Sequence, residues 1–164
     1  MKIYPDNNIL YQNLESYKDN RGELISVYRQ VNGPFSEDRI SKSYYNVIRG
    51  FHGDKITGKL CICLYGCIKL IAWNIEKKEK TEIYLEEYNL QSVYIPPKFL
   101  LAHQCLSNSC ILLYKWTHYY SGPEKQWSVR YDDPTINAKW DLLNPILSKR
   151  DKEAKCLSDL NFNL

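Results

Sequence analysis

Between Lys59 and Thr117 the chain never sustains a helical period. It breaks instead into short apolar runs, each closed by turn residues. Residues 60–65 alternate and stop at Gly66, and residues 68–75 follow. The charged stretch Glu76-Lys77-Lys78-Glu79-Lys80 separates these from 81–85, Asn89 precedes 92–95, and Pro96-Pro97 closes that run. Residues 99–106 and 110–117 flank the turn Ser107-Asn108-Ser109 and read as a hairpin. Strands at this spacing indicate a β-sandwich or β-barrel and exclude a helical bundle. Upstream, turn chemistry at Pro5-Asp6-Asn7-Asn8 and Asp19-Asn20-Arg21-Gly22 brackets further short strands, the second turn leading into residues 23–31. The stretch 36–59 is polar, and within it a strand over 44–48 is expected to deliver Arg49 and His52 to a loop. Residues 140–164 hold Pro145 and many charges, and read as an irregular or partly helical tail. At 164 residues, without repeat or linker, the chain is expected to be one domain, 1–164.

Charge and cysteine usage narrow the function classes. A net charge of +3, with lysines spread evenly, gives no basic arm for nucleic acid or membrane. No apolar run reaches the roughly 18 residues of a membrane span. The N-terminus lacks an apolar signal core, so the cytoplasm is the expected compartment. The six cysteines are then reduced thiols. Cys61 and Cys63 fall at strand period within an apolar run, and no Cys-x-x-Cys pattern accompanies Cys67, so core packing is expected rather than metal. Fourteen tyrosines and four tryptophans suit strands and a pocket that stacks on a flat or sugar-like ligand.

Five stretches then occur in an order that resembles the nucleotide-sugar 3,5-epimerases, whose best-known members act on dTDP-4-keto-6-deoxyglucose. They are Asp19-Asn20-Arg21-Gly22; Ser41-Lys42-Ser43 leading to Val47-Ile48-Arg49-Gly50-Phe51-His52; Ile95-Pro96-Pro97 leading to His103; Tyr114-Lys115 leading to Tyr119-Tyr120; and 144–151, ending Ser148-Lys149-Arg150-Asp151. Asp132-Asp133-Pro134 and Trp140 also fit. The resemblance implies an all-β cupin-type jelly-roll barrel and a homodimer with exchanged N-terminal strands. It implies an epimerase without metal or cofactor that inverts C3, C5 or both beside a 4-keto group.

What the resemblance implies for single residues follows the chemistry. Epimerisation beside a ketone requires a base, a donor for the enolate oxygen, and an acid on the opposite face. His52 is the base, with an ordinary pKa near 6.5, and Asp151 orients it. Lys59 faces the developing oxyanion, and Tyr114 is the acid. Arg49 and Arg21 are expected on the diphosphate, since guanidinium forks match phosphate oxygens. His103, Tyr120, Glu23 and Ser43 complete the expected binding set.

The chain also departs from the pattern. Gly53-Asp54 follows His52, the loop to Lys59 is short, an Asn usual before the Ser-Lys-Ser run is replaced near Arg39, and the proline pair leads into Lys98-Phe99-Leu100-Leu101-Ala102. The changes after His52 and after the prolines resemble the branch that epimerises GDP-linked 4-keto-heptoses for capsules. GDP-6-deoxy-4-keto-heptose is therefore the expected substrate, with a dTDP-4-dehydrorhamnose 3,5-epimerase as the alternative. A metal-dependent cupin needs two histidines one residue apart, and His52-Gly53-Asp54 lacks the second. A non-catalytic sugar-nucleotide-binding cupin would need no base and acid together.

Overall fold

The computed structural model describes residues 2–4, 9–19, 22–26, 35–89 and 91–162, and before residue 35 mainly their backbone. The described strands are β1 (Lys2–Tyr4), β2 (Ile9–Asn13), β3 (Glu15–Asp19), β4 (Gly22–Ser26), β5 (Glu37–Tyr44), β6 (Ile48–Gly53), β7 (Lys59–Tyr65), β8 (Cys67–Asn74), β9 (Glu79–Glu86), β10 (Gln91–Ile95), β11 (Phe99–Cys105), β12 (Ser109–Trp116) and β13 (Trp127–Ser128). One sheet has the order β1-β2-β10-β7-β12-β5 and the other β13-β6-β11-β8-β9, while β3 and β4 pair separately. Every pairing of these strands is antiparallel. The expected jelly roll is therefore present. No helix among the described residues is long and apolar enough to cross a membrane.

Strand period explains where the core lies. Ile68, Leu70 and Ala72 of β8 face the other sheet, together with Phe99, Leu101 and Cys105 of β11. Cys61 and Cys63 of β7 and Cys110 and Leu112 of β12 meet them from across the sandwich. All six cysteines are free, and those four pack in the core. The alternate positions, Ile71, Trp73, Leu100 and Ala102, form a second cluster with Phe51, Val129 and Ile136. Trp127, Trp140, Leu157, Leu160 and Phe162 pack over it. β8 and β11 are thus buried on both faces, which is why they read as nearly unbroken apolar runs. The C-terminal stretch is irregular apart from a short helix, α1 (Lys149–Lys152), and a 3-10 turn at Leu157–Asp159. It wraps the outer face of the five-stranded sheet.

Three local expectations change. The polar stretch begins with strand β5 (Glu37–Tyr44), and its outward residues Asp38, Ile40, Lys42 and Tyr44 are exposed. Arg49 and His52 lie within β6 rather than in a loop. β11 and β12 belong to different sheets, so the turn at 107–109 crosses the sandwich instead of closing a hairpin.

Candidate active site

The inward rows of four strands turn polar at one end of the sandwich. On β7 the row Cys63-Cys61 ends in Lys59; on β12 the row Cys110-Leu112 continues as Tyr114 and Trp116. On β11, His103 lies between the inward Leu101 and Cys105. Arg39 and Ser41 of β5 face the same space. With Arg49, His52, Arg150 and Asp151 they line a cavity of about 430 Å³. Of the expected site residues, His52, Lys59, Tyr114, Asp151, Arg49, His103 and Tyr120 all line it. Ser43 is buried just behind it. Arg21 lies outside the described residues. Glu23 falls in β4, and its side chain lies outside them.

Two glycines let β6 approach β11 closely enough to place His52. A Cβ at Gly53 would collide with the Phe99 carbonyl, and one at Gly50 with the Leu101 carbonyl. Gly50 also holds a φ of +122°, which favours glycine. His52 pairs with Leu101 across this seam. From the other side, Phe51 and Val129 exchange backbone hydrogen bonds, which ties the C-terminal segment to β6.

That segment brings Asp151. Ser148 caps α1: its hydroxyl accepts the Asp151 backbone N–H at 3.2 Å and donates to Asp151 Oδ2 at 2.7 Å. The other oxygen, Oδ1, lies 2.7 Å from His52 Nε2. Asp151 is buried. Burial works to raise its pKa, and the hydrogen bond and charge of His52 outweigh that, so it stays below the usual carboxylate range. Burial lowers the pKa of His52; Asp151 works against this, while Arg150 and Lys59 add to it. The imidazole is therefore neutral at neutral pH. With Nε2 held against the Asp151 carboxylate, Nδ1 is the nitrogen left to act as base.

Lys59 is set by the short turn before it. Asp54 Oδ1 accepts the backbone N–H groups of Ile56 and Thr57 at 3.0 and 2.6 Å, and the Gly58 N–H reaches Thr117 Oγ1 at 2.9 Å. The Lys59 ammonium is buried, 3.3 Å from the His52 carbonyl and 4.9 Å from the centre of the Trp116 ring. Among the described residues no carboxylate lies within ion-pair reach of it, and burial lowers its pKa. Burial raises the pKa of Tyr114, which therefore keeps its proton. Its hydroxyl is 3.0 Å from His103 Nδ1. Burial and the charges of Arg49 and His52 push His103 down to about 3, so it is neutral.

Arg49 donates from Nε to Ser43 Oγ at 2.9 Å and from Nη2 to the Lys42 carbonyl at 3.1 Å. Nine lining residues had no place in the expected set, among them Arg39, Trp116, Gln126 and Arg150. Arg150 bonds Ser128 Oγ at 2.9 Å and reaches toward Gln126. Its neighbour Asp151 in one helical turn was the available signal. Gln126 had none.

The cavity thus brings together a neutral histidine on a carboxylate, a buried ammonium with no carboxylate in ion-pair reach among the described residues, and a protonated tyrosine. Such a set can remove a proton from carbon, stabilise the resulting anion and return a proton. The comparisons agree with it. Residues 7–159 match the model of the family described as dTDP-4-dehydrorhamnose 3,5-epimerase. The chain is 34% identical over 152 residues to the dTDP-4-dehydrorhamnose 3,5-epimerase of Salmonella typhimurium, covering 87% of this chain and 81% of that one. It is 32% identical over 162 residues to the enzyme of the same name from Methanothermobacter thermautotrophicus, covering 88% and 87%. A crystal structure of the dTDP-6-deoxy-D-glucose-3,5-epimerase of Legionella pneumophila, in complex with dTDP-4-keto-L-rhamnose, matches with a TM-score of 0.88 at 27% identity over 93% of this chain and 89% of that one. The chain therefore belongs to the dTDP-4-dehydrorhamnose 3,5-epimerase family.

Proposed function

We propose that this protein inverts C3, C5 or both of a dTDP-linked 4-keto-6-deoxy sugar, without metal or redox cofactor. The observation that carries the reading is the 2.7 Å contact between His52 Nε2 and buried Asp151 in a cavity shared with Lys59 and Tyr114. His52 Nδ1 removes the proton beside the ketone. The electron pair moves onto the ketone oxygen, and the Lys59 ammonium stabilises the enolate there. Such a buried cation is offset by the anion that forms, so the interaction strengthens toward the transition state. Tyr114 delivers a proton to the opposite face, and the configuration inverts. His103 Nδ1, 3.0 Å from the Tyr114 hydroxyl, positions the phenol. Arg49, fixed by Ser43, and Tyr120 contact the substrate.

The dTDP sugar is preferred to the GDP-heptose that the sequence suggested. Both curated relatives above carry the dTDP name. Gly53 and Asp54, which pointed toward the heptose, have local reasons for their identity. Gly53 packs against the Phe99 carbonyl, and Asp54 closes the turn before Thr57. Neither residue type requires a particular sugar.

We also propose that the whole chain is one domain working as a homodimer that exchanges N-terminal strands, with Arg21 and Glu23 reaching the partner's cavity. The outward faces of β5 and β7 support this, since Ile40, Tyr44 and Leu64 are exposed there. Light scattering at the mass of a monomer would end that part.

The enzyme reading is tested by incubation with dTDP-4-keto-6-deoxyglucose and GDP-6-deoxy-4-keto-heptose in D₂O, with deuterium at C3 and C5 read by NMR. The dTDP sugar exchanges, and His52→Asn slows exchange by about 10²–10⁴-fold. Undiminished exchange by the variant removes His52 as the base. Exchange of the heptose alone reverses the choice of nucleotide.

A further inference from the structure

Arg39 takes no part in the proton chemistry above, yet its surroundings single it out. It lies on the inward row of β5, opposite Tyr114 in the β5–β12 register. Its guanidinium carbon stands 4.4 Å from the centre of the Tyr120 ring and 5.1 Å from that of Trp116. Those two rings meet edge to face at 5.7 Å. Aromatic faces of this kind hold a guanidinium in place and leave its N–H edge free to donate. Among the described residues its one acidic partner is Glu37, whose Oε1 is 3.8 Å from Nε, beyond hydrogen-bond reach. Glu37 is committed elsewhere, since its Oε2 accepts the Tyr120 backbone N–H at 2.7 Å. Glu37 thus anchors Tyr120 without satisfying the Arg39 fork. Arg49 differs, with two of its nitrogens already donating within the protein.

The Arg39 side chain is 40% exposed, so it stands at the mouth of the cavity rather than on its floor. Trp116, Tyr120 and Gln126 also line an adjoining cavity of about 580 Å³. A ligand with its sugar over His52 and Lys59 has room to run past Arg39 into that space, and the part that passes the mouth meets a guanidinium that donates no hydrogen bond among the described residues.

We propose that Arg39 is a specificity-determining residue that contacts the diphosphate of the substrate, held by Tyr120 and Trp116 so that its N–H edge meets phosphate oxygens. This rests on the nucleotide-sugar reading for the rest of the ligand, but the contact itself requires only the diphosphate anion.

Calorimetric titration of wild type, Arg39→Ala and Arg39→Lys with dTDP, inorganic pyrophosphate and thymidine tests it. Arg39→Ala weakens dTDP and pyrophosphate about tenfold or more and leaves thymidine within about twofold, as expected for a charge-assisted contact to phosphate. Arg39→Lys stays close to the alanine variant, because an ammonium offers neither the plane nor the fork. In turnover, KM rises while kcat holds, the mark of a contact made equally in ground and transition states. Unchanged dTDP affinity in Arg39→Ala, an equal loss for thymidine, or no binding of dTDP or pyrophosphate by wild type overturns the proposal. Arg39-dependent pyrophosphate binding without deuterium exchange sinks the epimerase reading and leaves this contact standing. Normal exchange with unaltered dTDP binding does the reverse.

Discussion

Lys59 on β7 and Lys69 on β8 are both nearly sealed from solvent, with 6% and 3% of their surfaces exposed. Desolvation works to lower the pKa of each. At Lys69 it loses. The ammonium donates to Asp141 Oδ1 at 2.8 Å and to the Lys139 carbonyl, and lies 3.1 Å from Glu82 Oε2. Its pKa is raised. At Lys59 desolvation wins, because a backbone carbonyl and an aromatic face are its close neighbours. The two residues are equally little exposed, but the Lys59 ammonium lies deeper while that of Lys69 sits near the surface among carboxylates, so depth and partners together make the difference. Lys69 fixes the C-terminal segment around 139–141 to the outer side of the sheet. Lys59 keeps a charge with no ion-pair partner among the described residues inside the cavity, where an anion formed by catalysis can complete it.

The comparison breaks most readily at Lys59. Lys59→Met lowers kcat by about 10²–10³-fold, the scale of losing one oxyanion donor. Its melting temperature holds or rises, because an apolar chain of similar length removes a desolvation cost. Lys69→Met gives the opposite pattern. It lowers unfolding free energy by about 2 kcal/mol in urea titration, less than for a fully buried pair because Asp141 and Glu82 keep access to water. The kcat of the folded enzyme stays near wild type. Matching effects of the two substitutions on both readouts would show that the partners do not separate the roles.

Alkaline stability sharpens the same contrast by sign. Lys59 has a folded pKa below the unfolded 10.5, so between those values the unfolded chain binds more protons and stability rises with pH. Lys69 has a folded pKa above 10.5. Its contribution is complete below 10.5 and is lost as pH climbs through the folded value. Urea titrations from about pH 9 to about pH 11 therefore diverge. Lys59→Met removes a rise, and Lys69→Met removes a fall. Parallel curves would show that one of the two shifts has the wrong direction.

Strands are legible in this sequence where their alternation is apolar. The rows Cys61-Cys63, Ile68-Leu70-Ala72 and Cys110-Leu112 are enough to mark strands β7, β8 and β12. Strand β5 stays hidden because its inward row is polar and its outward row mixes Asp38 and Lys42 with Ile40 and Tyr44. Asp38 and Lys42 point to solvent, while Arg39, Ser41 and Ser43 point inward toward a polar cavity. A strand that lines a site gives up the hydrophobic row that would identify it. β6 misleads for a related reason. Gly50 and Gly53 look like loop residues, but they are glycines because β11 lies against them. The reacting set is legible only through resemblance, since no spacing connects His52 to Asp151. Their contact depends on Ser148 and on the Phe51–Val129 pairing, which are tertiary facts. Arg39 stands out in the sequence only as a departure from the usual residue, and its aromatic clamp comes from the far end of β12.

The smallest expected effect separates the network around Lys69 into its parts. Tyr84 donates its hydroxyl to Asp141 Oδ2 at 2.8 Å, on the carboxylate whose other oxygen takes Lys69. The Tyr84 ring also lies 5.4 Å from the Lys69 ammonium. Tyr84→Phe keeps the ring and removes only the hydroxyl. Because the side chain is 47% exposed, water can replace the lost donor at Asp141. The loss should be about 0.5–1 kcal/mol in urea titration, with kcat unchanged. In the Lys69→Met background the same substitution should cost a different amount, because both groups act on one carboxylate. If the two losses simply add, Lys69 and Tyr84 hold Asp141 independently. The buried lysine would then be stabilised by Glu82 and the Lys139 carbonyl rather than by a connected network, and its contrast with Lys59 would rest on fewer partners.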